Sequence, residues 1–310
     1  LTAYSFQEGI PVGFESDFEI SIFHDQKHLR LQSLTDWHSF SLTNEKAIHA
    51  IVHVHLDGVE ATSPLKSPFG SILFSEKVSF EQLLEFIKFA EQKLQERGIR
   101  KLLLKSSPEI YNPKKAELLQ RALKESGYQI KQEETSAVIE AGVKSYDKIL
   151  HRSKKTRLNR GYAREFDFRQ LPSDRLEKVY NFLKACREEK GYSLSMPLEE
   201  LQKVIDTFQD RFFLHAVMYR NQLIAASVSI QVMSHVLYTF YYDHANEFDQ
   251  TSPVVYLCDG LYKFCQQRKI KLLDLGTSNV EGKLVESLLN FKLSLGAKPS
   301  RKLTFVKNLS

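Results

Sequence analysis

From residue 70 onward the apolar positions of this chain change period several times. "GSILF" (70–74) is a short apolar run of strand type, and "SFEQLLEFIKFAEQKLQERG" (79–98) then places Phe80, Leu83, Leu84, Ile87 and Leu94 on one helical face. Ser79 and Gln82 form a capping box at its start and Gly98 a stop. "KLLLK" (101–105) predicts a short buried strand. Asn112 with Pro113 supplies a cap and a first-turn proline for a second helix that ends at Gly127. Upstream, "DWHSFSLTN" and "AIHAIVHVHLDG" read as antiparallel strands. The first half is therefore expected to be mixed α/β, hairpins followed by β-α-β-α-β.

The second half follows a similar plan. Helices are predicted over 174–189 and 197–208, then strands "FFLHAVMYR", "LIAASVSIQV" and "VLYTFYYD", turning at Asn221 and at Met233-Ser234. A helix over 254–268, the strand "KLLDLG", a helix that stops at Gly296 and a last strand "KLTFVKN" complete it. That is the element order of the GNAT acyltransferase fold. The expected fold class is α/β with mixed sheets, arranged as two tandem GNAT-like domains over residues 1–145 and 146–310. The duplication is one of pattern, without a residue-level repeat. The last strand suits either sheet.

Composition narrows the class. A chain of 310 residues can bury two cores, and no apolar run reaches the ~18 residues that span a bilayer. Three cysteines without C-x-x-C spacing fit a reducing, cytoplasmic protein with neither a disulfide framework nor a zinc site. No metal or redox cofactor is expected, and His49, His53 and His55 read as structural strand histidines. Charge is unevenly shared: residues 1–140 hold 16 Lys+Arg and 20 Asp+Glu, and the remainder 27 and 18. The second half should thus attract phosphate-bearing or polyanionic ligands. Its segment "HRSKKTRLNRGYAR" (151–164) has six basic residues and no acid, with Lys154, Arg157 and Arg164 at helical spacing. Such a face suits the phosphates of a nucleotide-linked substrate or of tRNA, and equally a solvated helix. Only Tyr162 interleaves it, so base stacking has little support and DNA is not an expected partner.

Three stretches carry a resemblance. "SKKTRLNRGYAREFDFRQL", "SPVVYLCDGLYKF" with the later "LLDLG", and "FKLSLGAKP" resemble, in that order, segments of the second domain of Fem-type aminoacyltransferases. That family builds peptidoglycan cross-bridges and has two tandem GNAT-like domains. The resemblance covers most of residues 66–305 in element order. It implies a substrate groove shaped by Phe291, with Lys292 binding phosphate or supporting charge on the acyl oxygen. A fixed ammonium in a water-poor groove can stabilise the oxyanion of aminolysis by several kcal/mol, roughly 10² to 10³ in rate.

The other candidates divide between residue chemistry and resemblance. The amine nucleophile must lose a proton, which makes Asp243 the candidate general base, beside Asp274 or proton transfer by the substrate itself. Tyr242, Tyr256, Lys154, Arg157 and Arg164 are candidate substrate-binding residues. "SPFG" (67–70) resembles a Fem-type turn beside the groove, which adds Phe69, although it also reads as a plain turn. Lys27 or Arg30 corresponds to a basic residue of the family's first domain. The arginine that the family can show near "GYSLSMP" (191–197) is missing, which weakens recognition of the usual cell-wall precursor. The loop "ANEFDQTSPVVYLCDG" (245–260) has no glycine before Gly260 and inserts Pro253, so the glycine nest that cradles the pyrophosphate of CoA is missing. The expected function is transfer of an aminoacyl or acyl group to an amine, with aminoacyl-tRNA as donor. An acyl-CoA-dependent N-acetyltransferase of a small amine and a non-catalytic binder of phosphate ligands are the alternatives.

Overall fold

The computed structural model describes residues 4–309. Its elements run β1 (Ser5–Glu8), β2 (Glu15–Ser16), α1 (Gln26–Gln32), β3 (Trp37–Asn44), β4 (Ala47–Asp57), β5 (Glu60–Ser63) and β6 (Ile72–Phe74). There follow α2 (Phe80–Glu96), β7 (Lys101–Lys105), α3 (Pro113–Glu125), β8 (Gln129–Glu140), α4 (Arg152–Ala163) and β9 (Asp167–Leu171). Then come α5 (Leu176–Glu188), α6 (Leu198–Thr207), β10 (Phe212–Tyr219), β11 (Gln222–Met233), β12 (Val236–His244) and α7 (Pro253–Gln267). The chain ends with β13 (Leu272–Thr277), β14 (Asn279–Val280), β15 (Lys283–Leu284), α8 (Glu286–Ser294) and β16 (Lys298–Asn308). The mixed α/β class and the element order expected of the second half are those observed.

Two compact units divide between Thr135 and Ser136, inside β8. The reason is pairing. Residues Ser136–Glu140 are in register with Thr277–Leu272 of β13 and so belong to the second unit. Residues Thr304–Asn308 pair with Lys105–Lys101 of β7, which sends the last strand to the first unit.

In the first unit the strand order is β1-β3-β4-β5-β7-β16, with β2 and β6 also on β4. The capping box of α2 is present, Ser79 Oγ accepting from Gln82 N and Gln82 Oε1 from Ser79 N. Asn112 caps α3 by accepting from Lys115 N. These caps aim Leu83, Phe86, Leu94 and Leu123 at a core that also holds Phe40, Leu104 and Phe305. Here the strand histidines are structural in kind: His53 Nδ1 meets Ser39 Oγ at 2.7 Å, and His49 Nδ1 lies 2.9 Å from Asp17 Oδ2.

In the second unit the order is β9-β10-β11-β12-β13, closed by the second part of β8. All neighbours are antiparallel except β12 and β13. Helix α7 is apolar around most of its circumference, as a helix covered on several sides must be. Leu257, Cys258, Leu261 and Cys265 are each at most 1% exposed among β10–β13 and α4. A fully buried leucine contributes ~2 kcal/mol from apolar area alone, so α7 anchors this unit. Gly161 lets α4 approach closely, since a Cβ there would stand 3.0 Å from the Tyr256 ring.

Candidate functional site

Parallel pairing of β12 with β13 is short. Its register runs Val236↔Leu272, Leu237↔Leu273 and Tyr238↔Asp274. Beyond it Thr239 Oγ1 donates to Asp274 O (2.8 Å), and the strand ends that follow line a cavity of about 580 Å³. Tyr238–His244 form one wall and Leu275–Thr277 the next. Phe291 and Lys292 of α8, and Arg187, Lys190, Tyr192, Ser193 and Ser195 at the end of α5 and the loop after it, also line it, as does Val254 at the start of α7. All of these residues belong to the second unit.

Lys292 is 3% exposed. Its Nζ donates to Gly276 O (2.9 Å) and Thr277 O (2.7 Å), the carbonyls at the end of β13. An ammonium has three donors, and the third has no partner among the described residues. Burial pushes the Lys292 pKa down to about 8, with buried Asp274 drawing it up and Arg187 adding to the drop. The Asp274 carboxylate accepts from Gly276 N (2.7 Å), which fixes the turn whose carbonyl receives the lysine. The chain leaves α8 through Gly296, at φ +86°, where a Cβ would stand 3.0 Å from Ile149 O.

Asp243 lines the same cavity but is already engaged. Lys190 Nζ donates to its Oδ1 at 2.5 Å, and Arg187 Nε lies 3.3 Å from its Oδ2. Both of its oxygens therefore face cations of the same wall. Tyr242 is also on the wall, and burial raises the pKa of its phenol well above the usual value. Tyr241 ties the loop down, its hydroxyl accepting from Met196 N (2.9 Å) and sharing a hydrogen bond with Ser195 Oγ (2.8 Å).

The remaining sequence candidates lie elsewhere. Lys154 does not line the cavity, but its Nζ sits 4.5 Å from the centre of the Phe291 ring, which does. Arg157 Nη1 donates to Asp249 O (3.4 Å), and Arg164 is exposed at the C-cap of α4. Tyr256 packs edge-on against Tyr162 and Phe166, outside the cavity wall. Phe69 belongs to the first unit, where it is 3% exposed and packs edge-on against Phe23 and Tyr111. Lys27 and Arg30 are exposed on α1. Sequence reasoning missed Arg187 and Lys190, because basic residues in and just beyond the last turn of a helix also suit its dipole. The available signal was Asp243, an acid at a strand end that needs a counter-charge.

At the start of α7, Pro253 has no N–H, Val254 is 3% exposed and Val255 N donates to Ser252 O (2.9 Å). Few donors are left there for a pyrophosphate. Among the described residues, no helix is long and apolar enough to cross a membrane.

No family model and no curated protein sequence matches this chain. Solved structures do. FemX superposes with a TM-score of 0.73 at 12% identity over 94% of this chain and 93% of its own. L-PGS from Bacillus licheniformis gives 0.51 at 13% identity over 83% and 80%. The C-terminal domain of a protein described as a lysylphosphatidylglycerol synthetase, from Agrobacterium fabrum, gives 0.51 at 10% over 84% and 81%. These identities speak to architecture. This chain therefore has the fold of FemX.

Proposed function

We propose that the protein is an N-acyltransferase of the aminoacyl type, working in the cavity of its second unit. The observation that carries this reading is Lys292, a desolvated ammonium in the cavity wall with two donors on backbone carbonyls and one unengaged. When an amine attacks an acyl ester, the carbonyl carbon gains a bond to nitrogen and its oxygen takes the displaced electron pair. A fixed ammonium that meets this oxyanion stabilises it without reorganising, because Gly276 and Thr277 already hold it in place. As the intermediate collapses, the ester C–O bond breaks, the nitrogen loses its proton and the leaving oxygen gains one. Asp243 is assigned to holding Arg187 and Lys190, and the amine's proton to the substrate or solvent.

An aminoacyl-tRNA is the favoured donor. The basic face of α4 suits it, the helix start at Pro253 disfavours CoA, and one structural neighbour is described as a synthetase of an aminoacyl lipid. The acceptor is an amine, with a cell-wall precursor as the first candidate. Aminoacyl-tRNA and acetyl-CoA should be compared as donors with a UDP-linked muropeptide as acceptor, following transfer by mass spectrometry. Transfer from the tRNA, reduced about 10² to 10³-fold in Lys292→Met while circular dichroism shows the variant still folded, is expected. Transfer from acetyl-CoA alone would replace the donor, and full activity of Lys292→Met would remove the catalytic role.

A further inference from the structure

Three cations, Arg187, Lys190 and Lys292, line the cavity against a single carboxylate, Asp243. We infer that this excess marks an anion subsite, in which Arg187 and Lys190 take a phosphate or carboxylate of the bound substrate while its acyl end lies toward Lys292. The inference deepens the acyltransferase reading and rests on it only for the orientation of the ligand.

The geometry supports a built subsite. Asp243 engages Arg187 through Nε and Lys190 through Nζ, so it orients both cations. The two η nitrogens of Arg187 have no hydrogen-bond partner among the described residues. A guanidinium held through Nε still offers these donors as a fork, which suits the spacing of phosphate or carboxylate oxygens. Ser193 adds a hydroxyl to the same wall, and the loop that carries it is held down by Tyr241. Low-dielectric aromatic walls, among them Tyr238 and Phe240, strengthen attraction between these cations and an anion. A space of about 580 Å³ admits a charged group together with an acyl or aminoacyl portion.

The test is calorimetric titration of the full chain with inorganic pyrophosphate and, separately, N-acetylglycine, at low and raised salt. Saturable binding of at least one probe is expected, weakened about tenfold or more in Arg187→Met and restored in part by Arg187→Lys. The tighter probe identifies the group as phosphate or carboxylate. The Arg187 side chain is 31% exposed, so the variant should fold, and its melting temperature checks that. Equal binding by wild type and Arg187→Met, or saturable binding of neither probe, overturns the subsite. Arg187-dependent binding without any acyl transfer keeps the subsite and refutes the transferase. Lys292-dependent transfer with binding indifferent to Arg187 does the reverse.

Discussion

If Lys292 meets the oxyanion, stability and activity should move in opposite directions with pH. In the unfolded chain its pKa is the ordinary 10.5, and in the fold about 8. Below pH 8 both states carry the proton, and the folded state bears the cost of a buried charge. Between the two pKa values the unfolded state binds more protons, so stability rises with pH. The full shift corresponds to about 3 kcal/mol, of which about 2 kcal/mol should be recovered between about pH 7 and about pH 9.5. Urea unfolding of wild type and Lys292→Met at both pH values isolates this term, because the carbonyls orphaned by the substitution add a constant offset. Activity runs the other way. Only the charged form stabilises an oxyanion, so the wild-type to Lys292→Met rate ratio should fall about thirtyfold over the same interval. A stability difference that stays flat with pH would refute the reasoning, since Lys292 would then be solvated as in the unfolded chain.

Other outcomes follow from named contacts. If the α4 face binds RNA phosphates, Lys154→Gln with Arg157→Gln should reduce the log–log salt slope of tRNA binding by about 1.5, read by filter binding at several salt concentrations. Gly260→Ala places a Cβ 2.1 Å from Cδ2 of Phe168, whose ring stacks on His215. Overpacking of this kind should cost about 1–3 kcal/mol in urea unfolding. Ser79→Ala removes the α2 capping box and should cost about 1 kcal/mol, with the change confined to the first unit by hydrogen exchange.

Where one local signal decides an element, the sequence was readable. Ser79 with Gln82, Asn112 with Pro113, and the turn at Asn221 between β10 and β11 each mark an element boundary. Phe291 and Lys292, singled out through the resemblance, lie in the cavity wall. Partner choice was not readable. β8 reads "QIKQEETSAVIE", polar and then apolar, and only pairing reveals that the units divide within it. The apolar alternation of β16 suits either sheet, and β7 claims it. Arg187 and Lys190 become cavity residues only because Asp243, far along the chain, folds back against them. The turn at Phe69 shows the same limit, because a turn sequence does not reveal that its aromatic ring packs against Phe23.

The strand swap near the C-terminal end bears on how the molecule is made. Leu303, Phe305 and Leu309 fill the first unit's core, yet they emerge from the ribosome after every residue of the second. The unit translated first therefore waits with β7 open along one edge, a surface that invites association with other chains. Expression of residues 1–135 alone would leave that edge open and the core without Leu303, Phe305 and Leu309.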